Sequence, residues 1–273
     1  MATLSVKDAD LHYIQEGCGP DIVWIPGGDE VAEAWDHQFA AFSGSFRNTS
    51  YDPRGAGKTI CHTLPPWTIE DHATDCAALV RAMCNPPVIM TGLSMGSLIT
   101  LQFAIDYPEL VRLAIPMGTG AVATGFAREW MIAEVAFRRA GGKLPPDFAV
   151  SHYAAFSYPS EVLGNDELWA KIKERVGSNY GERDGDLLAA QWQACIDFDV
   201  VDRLPGCDVP IHVIGFSEDC QAPALMGKRA AALAGNGHFH LLQGLGHVSC
   251  ELHKPEIVNA KIKEIIELEG IAV

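Results

Sequence analysis

Ser94, in Gly92-Leu93-Ser94-Met95-Gly96, has the setting of a nucleophile. The five residues follow the apolar run Val88-Ile89-Met90-Thr91 and precede Ser97 to Tyr107, where apolar residues recur at helical spacing. A serine at the apex of such a strand-to-helix turn takes a strained backbone conformation, so the residues two before and two after it need to be nearly free of side chain. Gly92 and Gly96 meet that need. The turn would hold the hydroxyl at a helix N-terminus, where amide N–H groups and the helix dipole favour a developing negative charge. A serine-bearing turn in a chain with 26 glycines is the plainer reading. The flanking strand and helix argue against it.

Two more reactive types stand just past other expected strands. The acidic pair Glu218-Asp219 follows Ile211 to Gly215, and His247, in Gly244-Leu245-Gly246-His247, follows His238 to Leu242. A parallel sheet gathers its strand ends along one edge, so residues far apart in sequence meet there. The chemistry available is acyl transfer. His247 would take the Ser94 hydroxyl proton as the oxygen attacks a carbonyl, an acid would fix the imidazole tautomer and stabilise its charged form, and water would release the acyl-enzyme. No cofactor is called for.

The elements that must position these groups are legible in order. Leu11 to Gln15 alternates apolar and polar residues, and Gly17 to Pro20 turns the chain into the buried run Ile22-Val23-Trp24-Ile25, an antiparallel pair leading into a core strand. That strand ends in Pro26-Gly27-Gly28-Asp29, where backbone N–H groups can approach a ligand closely, and Val31 to Phe42 has helical periodicity. Phe46 to Tyr51 reads as a strand, and Thr68 to Met83 as an amphipathic helix capped by Thr68 with Asp71 three residues on. Val111 to Ile115 is a further strand. Ala121 to Arg203 is mostly helical in pattern (Ala127 to Ala140, Asn165 to Val176, Asp184 to Cys195), broken at Gly141-Gly142 and Pro145-Pro146. Trp130, Trp169 and Trp192 lie in it, with Phe137. Such aromatics ordinarily fill a helical core, but an insertion at the carboxyl edge of a sheet forms a lid. Trp130, Phe137 and Trp192 are accordingly candidate substrate-binding residues. The sheet resumes at Ile211, with helices near Ala224 to Leu233 and over Pro255 to Leu268.

These pieces resemble the α/β-hydrolase superfamily over nearly the whole chain. The resemblance rests on the elbow Gly92 to Gly96, the Asp52-Pro53-Arg54-Gly55-x-Gly57 turn, the acid loop before Pro223, Gly244-x-Gly246-His247, and the order serine, acid, histidine. It implies a mostly parallel sheet with helices on both faces, a core of residues 1–120 and 204–273, and a helical cap, 121–203, inserted after the sixth strand. Family members often carry His-Gly at the oxyanion loop where this chain has Pro26-Gly27, and the resemblance gives the oxyanion donors as the N–H groups of Gly28 and Met95. In related hydrolases the acid commonly lies three residues after the strand-end glycine, selecting Glu218, and four before a proline, selecting Asp219. Aspartate is the commoner acid there and immobilises one rotor fewer, so Asp219 is preferred.

Other motifs point nowhere further. Gly57-Lys58-Thr59 resembles the end of a phosphate loop, but Asp52 stands where the first glycine belongs. Gly118-Thr119-Gly120-Ala121-Val122-Ala123 fits a dinucleotide fingerprint, yet no parallel strand returns in time and Phe137-Arg138-Arg139 occupies the place of the ribose acid. His238-x-His240 could offer two metal ligands from one strand face, but spacing marks no third, so no metal is expected.

Composition bounds the rest. The 273 residues are 48% hydrophobic, enough for a sizeable core, and a net charge of −15 has the wrong sign for nucleic acid or an anionic membrane. Eight scattered cysteines and the lack of an apolar stretch in Met1 to Asp10 suggest a cytoplasmic protein with reduced thiols. The expected partner is a small ester or lactone, with a homodimer admitted. Carbon–carbon bond hydrolysis, cofactor-free perhydrolysis and a non-catalytic small-molecule receptor are the rival readings of the same framework. Serine at the elbow argues against epoxide hydrolases and haloalkane dehalogenases, which use aspartate there. Cap charges, 9 basic against 13 acidic, make no cationic pocket and favour an uncharged or modestly polar substrate.

Overall fold

The computed structural model describes residues 2–179 and 185–271. Its sheet has nine strands among the described residues: β1 (Ala2–Ser5), β2 (Ala9–Gly17), β3 (Asp21–Ile25), β4 (Arg47–Tyr51), β5 (Ile60–Cys61), β6 (Val88–Leu93), β7 (Val111–Met117), β8 (Ile211–Phe216) and β9 (Gly237–Leu242). The spatial order is β1-β2-β4-β3-β6-β7-β8-β9, with the two-residue β5 set on β2. β1, β2 and β5 pair antiparallel, whereas β4, β3, β6, β7, β8 and β9 run parallel.

Strand alternation explains the two cores. On β3, Val23 and Ile25 join one apolar cluster and Ile22 and Trp24 the other; on β6, Val88 and Met90 oppose Ile89 and Leu93 in the same way. Helices cover both faces. α1 (Asp36–Phe42) lies on the side of Ile22 and Trp24, and α2 (Ile69–Met83) and α3 (Met95–Asp106) on the other. The expected capping box of α2 is present: the Thr68 hydroxyl accepts from the Asp71 amide at 3.2 Å, and the Asp71 carboxylate accepts from the Thr68 amide at 2.8 Å. The segment expected as one helix from Val31 begins instead as a 3₁₀ turn, Ala32–Trp35, which leads into α1.

Between β7 and β8 the chain makes a helical excursion: α4 (Gly125–Arg139), α5 (Pro146–Ser157), the short α6 (Ser160–Leu163), α7 (Asp166–Asn179) and α8 (Gly185–Asp197). It follows the sixth strand of the continuous path. Its two ends are tied by a bridge between Val122 and Asp199 and by the Val200 amide donating to the Ala121 carbonyl at 2.9 Å. Of the two breaks read from sequence, Gly141-Gly142 closes the end of α4, their amides donating to the Arg138 and Phe137 carbonyls, whereas Pro145-Pro146 opens α5, because at the first helical position a proline loses no hydrogen bond. The expected start of the last insertion helix, Asp184, and Arg183 lie outside the described residues. α9 (Ala224–Leu233) and α10 (Pro255–Leu268) complete the chain, α10 packing on the α1 face.

Candidate active site

Ser94 stands between β6 and α3 with φ 55° and ψ −121°, a conformation costing of order 1–3 kcal/mol that persists only where the surroundings over-determine it. They do so through the two glycines. A Cβ on Gly92 would be driven into the carbonyl of Gly96, and one on Gly96 into that of Ile25 at the end of β3. The Ser94 amide is held by the Met117 carbonyl at 3.1 Å, and its own carbonyl accepts the Ser97 amide at 2.9 Å.

His247 follows β9 and is buried. Its Nδ1 lies 2.7 Å from Asp219 Oδ2. The other Asp219 oxygen accepts from the amides of Gln221 (2.9 Å) and Ala222 (2.8 Å), so this carboxylate is fully engaged and its direction set. An acceptor-only neighbour puts the imidazole proton on Nδ1 and leaves the lone pair on Nε2, which is buried and has no hydrogen-bond partner among the described residues. Burial pulls the His247 pKa down; the Asp219 carboxylate, by charge and hydrogen bond, and Glu30 by charge outweigh it, holding His247 above the ordinary histidine value. Glu218 takes no part. Its carboxylate accepts from the Ser160 amide (2.8 Å) and hydroxyl (2.7 Å) at the start of α6, contacts that hold its pKa low.

Two loops complete the enclosure. After β7, Gly118 has φ 55°, and a Cβ there would come within 3.0 Å of the His247 ring and 3.3 Å of Asp219 Oδ2. The small-residue run that imitates a dinucleotide fingerprint thus gives the histidine and aspartate their room. After β3, Gly27 brings the loop against Ser94, with a hypothetical Cβ 3.5 Å from that of the serine. The Gly27 amide donates to Glu30 Oε2 at 2.8 Å, whereas the amides of Gly28 and Met95 meet no acceptor among the described residues. Both residues border the cleft that Ser94 and His247 share.

That cleft encloses about 1150 Å³, its open mouth included. Trp130 of α4 and Trp192 of α8 line it, their rings 4.9 Å apart, and Trp130 stacks on Phe156 of α5 at 4.9 Å. Phe137 departs from the expectation. It is absent from the lining, 38% exposed, and packs over Gly142. Ala127, Trp130, Glu134 and Arg138 form the inward stripe of α4, and Phe137 lies about 100° around the helix from Arg138. Trp169 packs against the core cluster on the α1 face rather than the cleft.

Three features escape the sequence reading. Gln191, fully buried on α8, accepts from the Asp29 amide at 2.7 Å and donates to the Arg54 carbonyl at 2.6 Å, tying the helical excursion to the glycine loop. Glu30 buttresses that loop. On the cleft wall Glu134 pairs with Arg138 (3.3 Å) and His152 (3.5 Å), a polar patch among aromatics. Only the Glu134/Arg138 pair leaves a sequence signal, its i,i+4 spacing. Gln191 meets its partners only through contacts between distant segments, whereas Glu30 reaches an amide three residues before it.

A serine on a strained elbow, gathered with a histidine and an acid along the carboxyl edge of a mostly parallel sheet, defines an α/β hydrolase. The model of the alpha/beta hydrolase family matches residues 22–261, and the chain belongs to that family. It is 26% identical over 252 residues to the Mycobacterium tuberculosis (strain H37Rv) protein named "Putative non-heme bromoperoxidase BpoC", covering 92% of this chain and 95% of that protein. The crystal structure of that relative superposes with a TM-score of 0.89 at 24% identity, over 95% of this chain and 96% of that one. 3-Oxoadipate enol-lactonase 2 of Acinetobacter baylyi is 23% identical over 267 residues, 97% of this chain and 96% of the enzyme. The enol-lactonase of Burkholderia xenovorans LB400 matches with a TM-score of 0.86 at 21% identity, over 97% of this chain and all of that one (100%). No helix among the described residues is long and apolar enough to cross a membrane.

Proposed function

We propose that the protein hydrolyses a carboxylic ester or lactone through an acyl-enzyme on Ser94. The observation that carries this reading is the His247 ring: anchored by Asp219 at Nδ1, it keeps an unpartnered Nε2 in the cleft that Ser94 borders. Nε2 takes the hydroxyl proton as Ser94 Oγ attacks the carbonyl carbon, and the tetrahedral oxyanion receives the Gly28 and Met95 amides. Collapse expels the alcohol, or opens the lactone ring, with the proton returned from His247. Water, deprotonated by the same nitrogen, then attacks the acyl carbon and frees the acid and Ser94. Asp219 orients the ring and stabilises its cationic form throughout.

Residues 121–203 act in this reading as a cap whose Trp130 and Trp192 receive the acyl part, with the Glu134 patch favouring substrates that carry a modestly polar group beyond the carbonyl. The relatives named enol-lactonase support the lactone side of the assignment. The eight cysteines, all free, suit a cytoplasmic, reducing setting.

The test is a panel of chromogenic esters of graded acyl length beside lactones. Ser94→Ala should fold normally and lose several powers of ten in turnover. Full activity in that variant overturns the reading, and tight binding without turnover of any panel member by the wild type favours a receptor. The bromoperoxidase name of one relative gives a second reading: hydrogen peroxide replaces water in the last step, yielding a peracid and free Ser94. Peroxide-dependent bromination that vanishes in Ser94→Ala would establish it.

A further inference from the structure

At the other end of the sheet, three histidines and a glutamate come together. His212 near the start of β8 and His238 near the start of β9 are register partners, and His240, two residues on, shares the His238 face. The His212 ring stacks on both, with centroids 4.5 Å from His238 and 5.2 Å from His240. Glu269, just past α10, sets its Oε1 2.9 Å from His212 Nε2, and His212 Nδ1 lies 2.9 Å from His240 Nε2. One ligand atom each from His212, His238 and Glu269 falls within 4.8 Å of the other two.

We infer that this cluster is a binding site for a divalent metal ion of the zinc class, held by His212, His238 and Glu269, with water in the fourth position. Two neutral imidazoles and a carboxylate suit zinc, whose tetrahedral bonds of about 2.0–2.1 Å hold ligand atoms roughly 3.3 Å apart. His238 is exposed and Glu269 lies beyond the helix end, so closing to that spacing moves only a side chain on an edge strand and the end of a helix. His240 supplies what a ligating histidine ordinarily has. With His212 Nε2 on the metal, its Nδ1–H donates to His240 Nε2, fixing tautomer and ring orientation.

Electrostatics favours a cation there. α10 ends without a basic residue in its last turn, and the Glu269 carboxylate adds a negative charge to the negative end of the helix dipole, an arrangement that is unfavourable until a cation joins it. The site lies on the order of 15 Å from the candidate catalytic residues, since His212 precedes the carboxyl end of β8 by four residues at about 3.3 Å each and Asp219 follows beyond it. The ion's role is therefore a clip. It fastens the end of α10 to β9, the last strand of the sheet, and leaves acyl transfer to the other edge.

Equilibrium dialysis of tag-free, chelator-stripped protein against zinc ions tests this, with thermal unfolding as a second readout. The wild type should bind one more zinc per chain than His238→Ala, and zinc should raise its unfolding midpoint but not that of the variant. His238 is exposed, so its replacement threatens the fold less than that of buried His212. Glu269→Gln, which can still bond His212 but lacks the anionic ligand, should weaken zinc binding at least about tenfold. Subtracting the His238→Ala result removes zinc taken up by the exposed Cys18 and Cys220. Equal zinc uptake and equal midpoint shifts in wild type and His238→Ala, or no binding by wild type at 100-fold molar excess, would overturn the inference.

Discussion

Asp219 Oδ2 sits 2.7 Å from His247 Nδ1, while its chain neighbour Glu218 turns away to hold the start of α6 through Ser160. Consecutive residues of one loop thus serve different partners. Asp219→Asn should lower turnover by about four powers of ten at neutral pH, because an amide no longer enforces the Nδ1–H tautomer. Glu218→Gln should stay within a few-fold of wild type. Steady-state kinetics at saturating substrate distinguishes them, and the reverse pattern would make Glu218 the acid.

The pH profile should carry the mark of the same pair. In the proposed mechanism His247 can take a proton only when neutral, and its folded-state pKa stands above the ordinary value of 6.5. The rate constant kcat/KM should therefore fall as pH drops through a value above 6.5. Asp219→Asn removes the charge that raises it, so the residual activity should titrate at lower pH. An acid limb unmoved by Asp219→Asn would assign that limb to another group.

Substrate preference should respond to Trp130 and not to Trp169. Trp130→Ala opens the cleft wall between Phe156 and Trp192 and should alter discrimination among acyl lengths by about 1–3 kcal/mol in relative kcat/KM. Trp169→Ala, altering packing on the core, should lower stability with little change in preference. An unchanged preference in Trp130→Ala and Trp192→Ala would confine those rings to the packing among the helices.

Stability should fall in mild acid through His72. Its ring is buried on α2, neither nitrogen has a hydrogen-bond partner among the described residues, and burial, with the charge of Arg54 adding, pushes its pKa down to about 4. Between pH 6.5 and 4 the unfolded chain binds a proton that the folded chain refuses, so this group's contribution is full above 6.5 and is lost as pH falls toward 4. A shift from 6.5 to about 4 corresponds to at most about 3 kcal/mol. Urea unfolding at pH 7 and pH 4.5 should show His72→Leu losing less stability between the two than wild type.

Much of the fold and candidate site was legible because local signals are strong where the chain makes sharp decisions. Gly92 and Gly96 around Ser94, Thr68 with Asp71, and the apolar runs of β3, β6, β7 and β8 each carry their reason within a few residues. The aromatics of the helical excursion did not divide so cleanly. Phe137 and Trp130 look alike in sequence, and only the rotation of α4 against the sheet puts one in the cleft and the other over Gly142.

Gln191 shows the same limit at longer range. Nothing beside it announces that its amide will bridge Asp29 and Arg54, because both partners arrive from across the fold. By itself the sequence determined the elbow, the order serine, acid, histidine, and the strands that carry them, since backbone sterics and strand or helix periodicity act between near neighbours. The sequence preferred Asp219 to Glu218 by residue type, but the tertiary structure sets Asp219 against His247, and it alone decided that His238 and His240 find His212 and Glu269 beside them. Those choices rest on where a side chain points once β8, β9 and α10 have packed, and no spacing along one chain segment encodes that direction.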